Sequence, residues 1–380
     1  MDPRKEFIKQ LRRYKKGSIS RRHFLGVTGL GTAVSVLAAS MPELAAPRPA
    51  YAGDIGDRVS LTTWPNYHDP KNFDRFAAAT GAKVEVTVFG SNEEMYAKLK
   101  AGGTGWDAFV PTNYTIENYV AADLIEPLDL SLIPAYQPQF YTDQRFTKPG
   151  SVNGKVYAVH KDWGTTGYCV NTAKVSEKMT SWKDFWDLTR TKYNNRVTVH
   201  DYQLTVIGNA LKYYGHSFNS NDPKELAEAE KLLLDVKPHL FGITSDYQPA
   251  MRNGDAWLAM AWTGDAEQLH KDIPAIIYVI GKEGGEIWSD FFAVPKGAPH
   301  RAAGYALINF LLTPEHNKDE VLAHGYPVAD KRVLDMLPPA MLSDPIMFPA
   351  AELLQPLEFG AAATLTNPLR AEILARFKAA

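Results

Sequence analysis

The pattern of apolar and polar positions in the early part of the chain alternates between the period of a strand and that of a helix. Alternation predicts strands over residues 59–63 and 83–89, and an apolar run over residues 107–110 predicts a third. Between them, residues 70–80 predict a helix, and Ser91 begins another with the capping-box pattern Ser-Asn-Glu-Glu. This order predicts a parallel sheet with right-handed crossovers.

Aromatic and polar residues follow two of these predicted strands. Trp64, Asn66 and Tyr67 come after the first strand, and Thr112 and Tyr114 come after the third. Ligands of such sheets bind beyond the carboxyl ends of the strands. A ligand site is therefore expected at this edge.

The rest of the chain continues to alternate. The predicted elements are a short helix over 182–187, a strand over 197–199, a helix over 223–236 capped by Asp222, strands over 257–262, 276–280 and 291–294, and an amphipathic helix over 301–312. No internal repeat is visible. The pattern predicts an α/β protein.

The first 52 residues have the pattern of an export signal. Ser20–Leu25 reads Ser-Arg-Arg-His-Phe-Leu, a twin-arginine signature. The apolar run over residues 25–39 is too short and glycine-rich for a spanning helix, which needs about 20 residues. Ala50-Tyr51-Ala52 fits a small-x-small cleavage rule, which predicts a mature start at Gly53. The expected route is twin-arginine export to the periplasm, and a membrane anchor that is never cut is the alternative.

Removing the signal makes the chain acidic. Residues 1–52 hold 10 of the 41 basic and 3 of the 43 acidic residues, which leaves 31 basic and 40 acidic residues and a net charge of −9. Such a charge does not favour nucleic acid as a partner and mildly favours cationic ligands. Cys169 is the only cysteine, which excludes an intramolecular disulfide and a cysteine-based metal site.

Two short segments each place a carboxylate soon after a tryptophan. Asp265 follows Trp262, and Asp290 follows Trp288. A carboxylate neutralises an ammonium group, and an indole face attracts the same group by about 0.5–2 kcal/mol. Together the segments are typical of a receptor for an organic amine. Core packing beside a solvated turn is the alternative.

Motifs of catalysis do not occur in the sequence. The ten histidines include no His-x-x-x-His pair, and there is no Gly-x-Ser-x-Gly elbow. Gly281–Gly285 lacks the spacing of a phosphate loop. The chain is therefore expected not to be an enzyme and to have no cofactor and no metal site.

Several longer motifs occur in a fixed order over most of residues 58–330. They are Trp64-Pro65-Asn66-Tyr67, Ser91-Asn92-Glu93-Glu94-Met95-Tyr96-Ala97-Lys98-Leu99, Pro111-Thr112-Asn113-Tyr114, the segment Glu283–Asp290, Ile308-Asn309-Phe310-Leu311-Leu312 and Gly325-Tyr326-Pro327. In these motifs the chain resembles the periplasmic spermidine- and putrescine-binding proteins of bacterial ABC importers.

The resemblance implies a two-lobe periplasmic-binding-protein fold of type II, with parallel-rich sheets, flanking helices and a hinge between the lobes. The expected divisions are the signal over 1–52, lobe 1 over 53–161 and 290–325, lobe 2 over 162–289, and a C-terminal segment over 326–380 that packs mainly on lobe 2. The implied partners are a small cationic amine, an ABC permease and its ATPase. The receptor itself is expected to be a monomer.

The resemblance also implies which residues bind the ligand: an aromatic box for the aliphatic stem and acids for the amines. The expected residues are Trp64, Asn66, Tyr67, Thr112, Tyr114, Tyr202, Thr205, Trp262, Asp265, Trp288, Asp290 and Tyr326. Asp290 matches an amine-binding aspartate found across the family. Asn66, Tyr202 and Thr205 stand where relatives carry acids, so the far end of the pocket is expected to be polar and mostly uncharged.

This departure leaves two ligand classes possible, diamines and molecules with one amine, because a buried second ammonium without a countercharge costs several kcal/mol. Either Asp162 or Asp201 compensates, or the ligand carries one amine, as 4-aminobutyrate does. Lys161 is then a candidate for the ligand's carboxylate, and Arg252 a poorer one. Lys161 and Asp162 as ordinary surface charges near the hinge are the alternative. A receptor that reports its ligand to a membrane sensor also uses this fold.

Overall fold

The strands in the computed structural model follow the alternating pattern over most of the chain. The structure describes residues 55–102 and 105–380. Within these ranges the strands are β1 (Arg58–Thr63), β2 (Lys83–Val88), β3 (Ala108–Phe109), β4 (Ser151–Val152), β5 (Lys155–Val156), β6 (Ala158–Asn171), β7 (Val197–Val199), β8 (Gly242–Ile243), β9 (Leu258–Trp262), β10 (Ile276–Val279), β11 (Gly285–Ala293) and β12 (Leu357–Glu358). The predicted signal over 1–52, with its twin-arginine motif and cleavage site, lies outside the described residues, as does Gly53.

Two groups of parallel strands are joined by two long antiparallel strands. β1 pairs in parallel with β2 and β3, as the crossover pattern predicts. β7 pairs in parallel with β8 and β9. Between the groups, β6 and β11 pair with each other, and β11 reaches β3 while β6 reaches β9, all antiparallel. The order β2-β1-β3-β11-β6-β9-β7-β8 confirms the predicted α/β class.

Helices flank this sheet. The α-helices of the described residues are α1 (Pro70–Thr80), α2 (Asn92–Ala101), α3 (Ile116–Ala121), α4 (Trp182–Thr191), α5 (Gln203–Tyr214), α6 (Pro223–Val236), α7 (Gln248–Asn253), α8 (Thr263–Asp272), α9 (Arg301–Leu312), α10 (Pro314–His324), α11 (Lys331–Leu334), α12 (Pro339–Leu342), α13 (Ala351–Leu354), α14 (Ala362–Leu365) and α15 (Pro368–Ala379). None of the helices in these ranges combines the length and apolarity needed to cross a bilayer.

Local chemistry sets several helix starts. Asp222 accepts a hydrogen bond from the N–H of Lys224 at 2.8 Å, so α6 begins where the Asp-Pro pattern predicts. Ser91 caps α2 through the N–H of Glu94 at 3.1 Å. Glu94 accepts from the N–H of Gly90 at 3.0 Å, one residue earlier than in a capping box.

Strand β11 differs most from its prediction. It begins at Gly285, whereas the pattern predicts a strand over 291–294 only. Glutamate and aspartate are depleted in strands, so Glu286 and Asp290 hide the alternation from sequence reasoning. Helix α4 likewise extends to Thr191, past its predicted end.

Two apolar clusters hold the helices to the sheet. One packs α4, α5, α6 and α15 against β6, β7 and β9. The other packs α2 and α3 against β3 and β11. Both clusters therefore support the strands that carry the site. The lobe boundaries at 161/162 and 289/290 stay a prediction.

Candidate ligand-binding site

A cavity of about 220 Å³ lies where the two groups of parallel strands meet β6 and β11. Three antiparallel steps separate β3 from β9, so the two groups run in opposite directions. Because β3 pairs with the Ala293 end of the β6–β11 pair and β9 with the far end of β6, their carboxyl ends turn toward the same central region. The lining residues are Trp64, Pro65, Asn66, Tyr67, Phe89, Gly90, Asn92, Thr112, Tyr114, Asp201, Tyr202, Thr244, Ser245, Asp246, Gln248, Trp262, Asp265, Glu286, Trp288, Asp290 and Tyr326.

Every expected ligand-binding residue except Thr205 lies in this lining. Tyr202 is the N-cap of α5, and Thr205 lies three residues further, in a helix that is buried along most of its length. The Thr205 hydroxyl lies 3.1 Å from Nδ1 of His200, behind the cavity wall. The structure therefore places Thr205 outside the lining, although its neighbour Tyr202 contributes to it.

Aromatic rings form the walls. The ring centroids of Trp288 and Tyr326 are 5.4 Å apart, and those of Tyr202 and Trp262 are 6.2 Å apart. Gly164 faces Trp288 across the β6–β11 pair, and a Cβ at Gly164 would lie 2.5 Å from the indole ring. The absence of a side chain at Gly164 therefore provides the space that the Trp288 ring occupies against β6.

Asp290 is the acid at the end of the cavity beside β3. The Tyr67 hydroxyl lies between two carboxyl groups, donating to Asp290 Oδ2 at 2.9 Å and to Asp162. Asp290 Oδ1 is buried and has no hydrogen-bond partner among the described residues. Burial, together with the negative charge of Asp162, raises the pKa of Asp290 to about 7. A cation that entered here would favour the ionised carboxylate.

Asp265 supports this end from helix α8. It accepts a hydrogen bond from the Tyr326 hydroxyl at 3.2 Å, and burial raises its pKa above the usual range. Tyr326 in turn packs on Tyr67 at a centroid distance of 5.0 Å. The two tyrosines therefore connect Asp265 to Asp290.

Lys161 and Asp162 are buried rather than surface charges. Their Nζ and Oδ2 atoms lie 2.6 Å apart, and Lys161 Nζ lies 3.6 Å from the centroid of the Tyr67 ring. Asp162 also lies 3.6 Å from Nε2 of His324. Neither residue lines the cavity. The Lys161 charge is therefore committed to Asp162.

The other two candidate charges have different places. Asp201 lines the cavity, where it accepts a hydrogen bond from Ser245 at 2.6 Å. Arg252 lies outside the lining and pairs with Asp272 at 2.8 Å. Arg252 therefore does not reach the cavity.

Glu286 is a buried acid of the lining that sequence reasoning missed, and the exposed Asp246 is another acid of the lining that was not expected. Glu286 lines the cavity at the end toward β9, where uncharged groups were expected, and Thr166 donates to it at 2.5 Å. Burial raises the pKa of Glu286 to about 8, and the negative charge of Asp290 contributes to this rise. Glu286, Trp288 and Asp290 alternate and so share one face of a strand, but alternation alone does not show that this face lines a cavity.

Comparison with known proteins agrees with this architecture. Residues 71–349 match the family model of bacterial extracellular solute-binding proteins. The spermidine/putrescine-binding periplasmic protein of Salmonella typhimurium is 32% identical over 307 residues, which cover 80% of this chain and 86% of that protein. A putrescine-binding periplasmic protein of Pseudomonas aeruginosa is 29% identical over 314 residues, covering 79% and 85%.

A solved structure shows the same fold. The spermidine/putrescine ABC transporter substrate-binding protein of Streptococcus pneumoniae is 27% identical and superposes with a TM-score of 0.68, covering 85% of this chain and 99% of that one. The sequence comparison and the structural comparison thus find the same kind of protein, and each match covers most of the described chain. The protein belongs to the bacterial extracellular solute-binding protein family.

Proposed function

We propose that this protein is the periplasmic receptor of an ABC importer for putrescine- or spermidine-like amines. One observation carries the proposal: an aromatic cavity that holds the buried carboxyl groups of Asp265, Glu286 and Asp290. Buried acids with raised pKa values gain most from a ligand that brings positive charge. The names of the relatives in Salmonella typhimurium and Pseudomonas aeruginosa support the same ligand class.

The proposed ligand-binding residues are the expected ones without Thr205, which lies outside the cavity lining. Asp290 is the principal ammonium partner, Asp265 assists it, and the tryptophans and tyrosines hold the aliphatic stem. Among the described residues, the cavity lining holds no lysine or arginine for a ligand carboxylate, and Lys161 and Arg252 pair with Asp162 and Asp272. The geometry therefore favours a polyamine over 4-aminobutyrate.

The receptor is proposed to act as a monomer without enzymatic activity. It closes its two lobes, 53–161 with 290–325 and 162–289, around the ligand and delivers it to the permease and ATPase. Residues 326–380 are proposed to form a C-terminal segment that packs mainly on the second lobe. Deleting the gene of this receptor tests the role: loss of amine uptake supports transport, whereas unchanged uptake with loss of an amine response points to a sensing receptor.

Thermal unfolding with a panel of ligands tests the amine specificity. A ligand present at about 100 times its dissociation constant stabilises the native state by about 2.7 kcal/mol. Putrescine and spermidine are expected to raise the melting temperature by several degrees. The matched control is 1,4-butanediol, which has the stem of putrescine without its charges and is expected to cause no shift. A shift with 4-aminobutyrate alone would contradict the proposal.

The twin-arginine motif is proposed to direct export. Replacing Arg21 and Arg22 together by lysine keeps the charge of the signal but removes the guanidinium pair that the translocase reads. The precursor is expected to remain in the cytoplasm, as measured by fractionation and immunoblotting. The control is Arg12→Lys with Arg13→Lys, which lie before the motif and are expected to leave export unchanged. Normal periplasmic accumulation of the Arg21/Arg22 variant would show that another route is used.

A further inference from the structure

Two acids that line the cavity stand on the same face of one strand, four residues apart. Asp290 pairs with Asp162 and forms a bridge with Thr112 next to β3, whereas Glu286 pairs with Thr166, whose other neighbour is Trp262 of β9. Trp288 lies between them on that face. Asp290 therefore lies beside the β1–β3 group, whereas Glu286 is separated from β9 by β6 alone.

The surroundings of Glu286 are aromatic and negative. Its buried carboxyl group accepts from Thr166, and it lines the cavity with Tyr114 and Tyr202. The charges of Asp290 and of Glu93, on helix α2, act on it from the other sides. Among the described residues no cation pairs with Glu286, so a ligand ammonium group would be the partner that favours its ionised form.

We propose that Glu286 binds the second ammonium group of a linear diamine whose first ammonium group binds Asp290. This inference rests on the proposed function and names the ligand class more closely. Glu286, on β11, supplies the charge that two uncharged residues do not provide: Tyr202, the N-cap of α5, and Thr205, within α5. The protein is therefore selective for diamines over monoamines.

The strand geometry sets the length of the ligand. Residues four apart in a strand have Cα atoms roughly 13 Å apart, at about 3.3 Å per residue. Side chains that stand perpendicular to the strand keep about that separation between their carboxyl groups, so a charge-assisted hydrogen bond of about 2.8 Å at each end leaves roughly 7 Å between the two nitrogens. That span suits a short diamine such as putrescine, whose methylene chain lies along the Trp288 ring.

Calorimetry with two ligands and two variants tests the assignment. Putrescine and 1-aminobutane have the same stem and differ in the second ammonium group. A hydrogen bond to a charged group contributes about 1.5–3 kcal/mol, which corresponds to a preference for putrescine of about tenfold or more. In Glu286→Gln we expect the affinity for putrescine to fall by about that factor, while the affinity for 1-aminobutane changes by less than about threefold.

Glu283→Gln is the matched control. Glu283 lies three residues earlier, outside the cavity lining, and its carboxylate accepts a hydrogen bond from the N–H of Trp182. This variant should keep the preference for putrescine. Glu286→Met is a second variant, which removes the charge with an apolar chain of similar length. Circular dichroism checks that each variant is folded.

The outcomes separate this inference from the function on which it rests. If the Glu286 variants lose affinity for putrescine and for 1-aminobutane by the same factor, Glu286 has a structural role and the inference is overturned. An unchanged preference for putrescine in Glu286→Gln overturns it too, while amine binding itself stands. If the unaltered protein binds neither amine, both the inference and the proposed function fail.

Discussion

Asp290→Asn is expected to weaken putrescine binding by a factor of a hundred or more. The substitution removes the countercharge of a buried ammonium group, and breaking a buried ion pair costs about 3–5 kcal/mol. Asparagine keeps the shape of the side chain and can still accept from Tyr67. Since burial already raises the pKa of Asp290 to about 7, the ligand-free variant should fold normally. Isothermal titration calorimetry at neutral pH measures the change.

A surface carboxylate provides the comparison for Asp290. Asp335 is exposed and pairs with Lys331 one helical turn away, so Asp335→Asn should leave putrescine binding unchanged. If Asp290→Asn bound putrescine within about threefold of the unaltered protein, Asp290 would not be the principal ammonium partner. Another acid of the cavity, Asp265 or Glu286, would then have to take that role.

Lys161→Met is expected to lower the free energy of unfolding by about 3–5 kcal/mol, because it leaves the buried carboxylate of Asp162 without its partner. Burial raises the pKa of Asp162 and the Lys161 charge opposes that rise. Methionine has a similar length and keeps much of the packing against Tyr67. Urea unfolding of the ligand-free protein at pH 7 measures the loss.

The double variant separates charge from packing. Lys161→Met combined with Asp162→Asn removes both charges and should recover much of the lost stability. Lys331→Met, at the exposed pair with Asp335, should change stability little. A loss of less than about 1 kcal/mol in Lys161→Met would show that Lys161 does not hold Asp162 in its charged form. Lys161 would then again be a candidate for contact with a ligand carboxylate.

The buried pair has a consequence for binding. Asp162 and Asp290 both contact the Tyr67 hydroxyl, but only Asp162 has a cationic partner at 2.6 Å in Lys161. The arrangement neutralises one acid within the protein and leaves the other to the ligand. Tyr67 couples the two, so the orientation of Asp290 depends on a pair that does not line the cavity.

Local structure was largely determined by the sequence. Asp222 and Pro223 predict the start of α6, and Gly81 predicts the end of α1, because capping and backbone preference act within one turn of the chain. Alternation predicts β1, β2 and β7 for the same reason. Eleven of the twelve expected ligand-binding residues line the cavity, whereas other lining residues such as Phe89 and Glu286 were not expected.

Only the tertiary structure decided which charges meet. Lys161 and Asp162 could be surface charges by sequence, yet the pairing of β6 with β11 and the packing of Tyr67 bury them together. Glu286 became part of the cavity because β11 crosses between two groups of strands, which no local pattern reveals. Burial and pairing depend on contacts between residues far apart in the chain. Periodicity and caps report only near neighbours, and that is why the second acidic end was visible only in the fold.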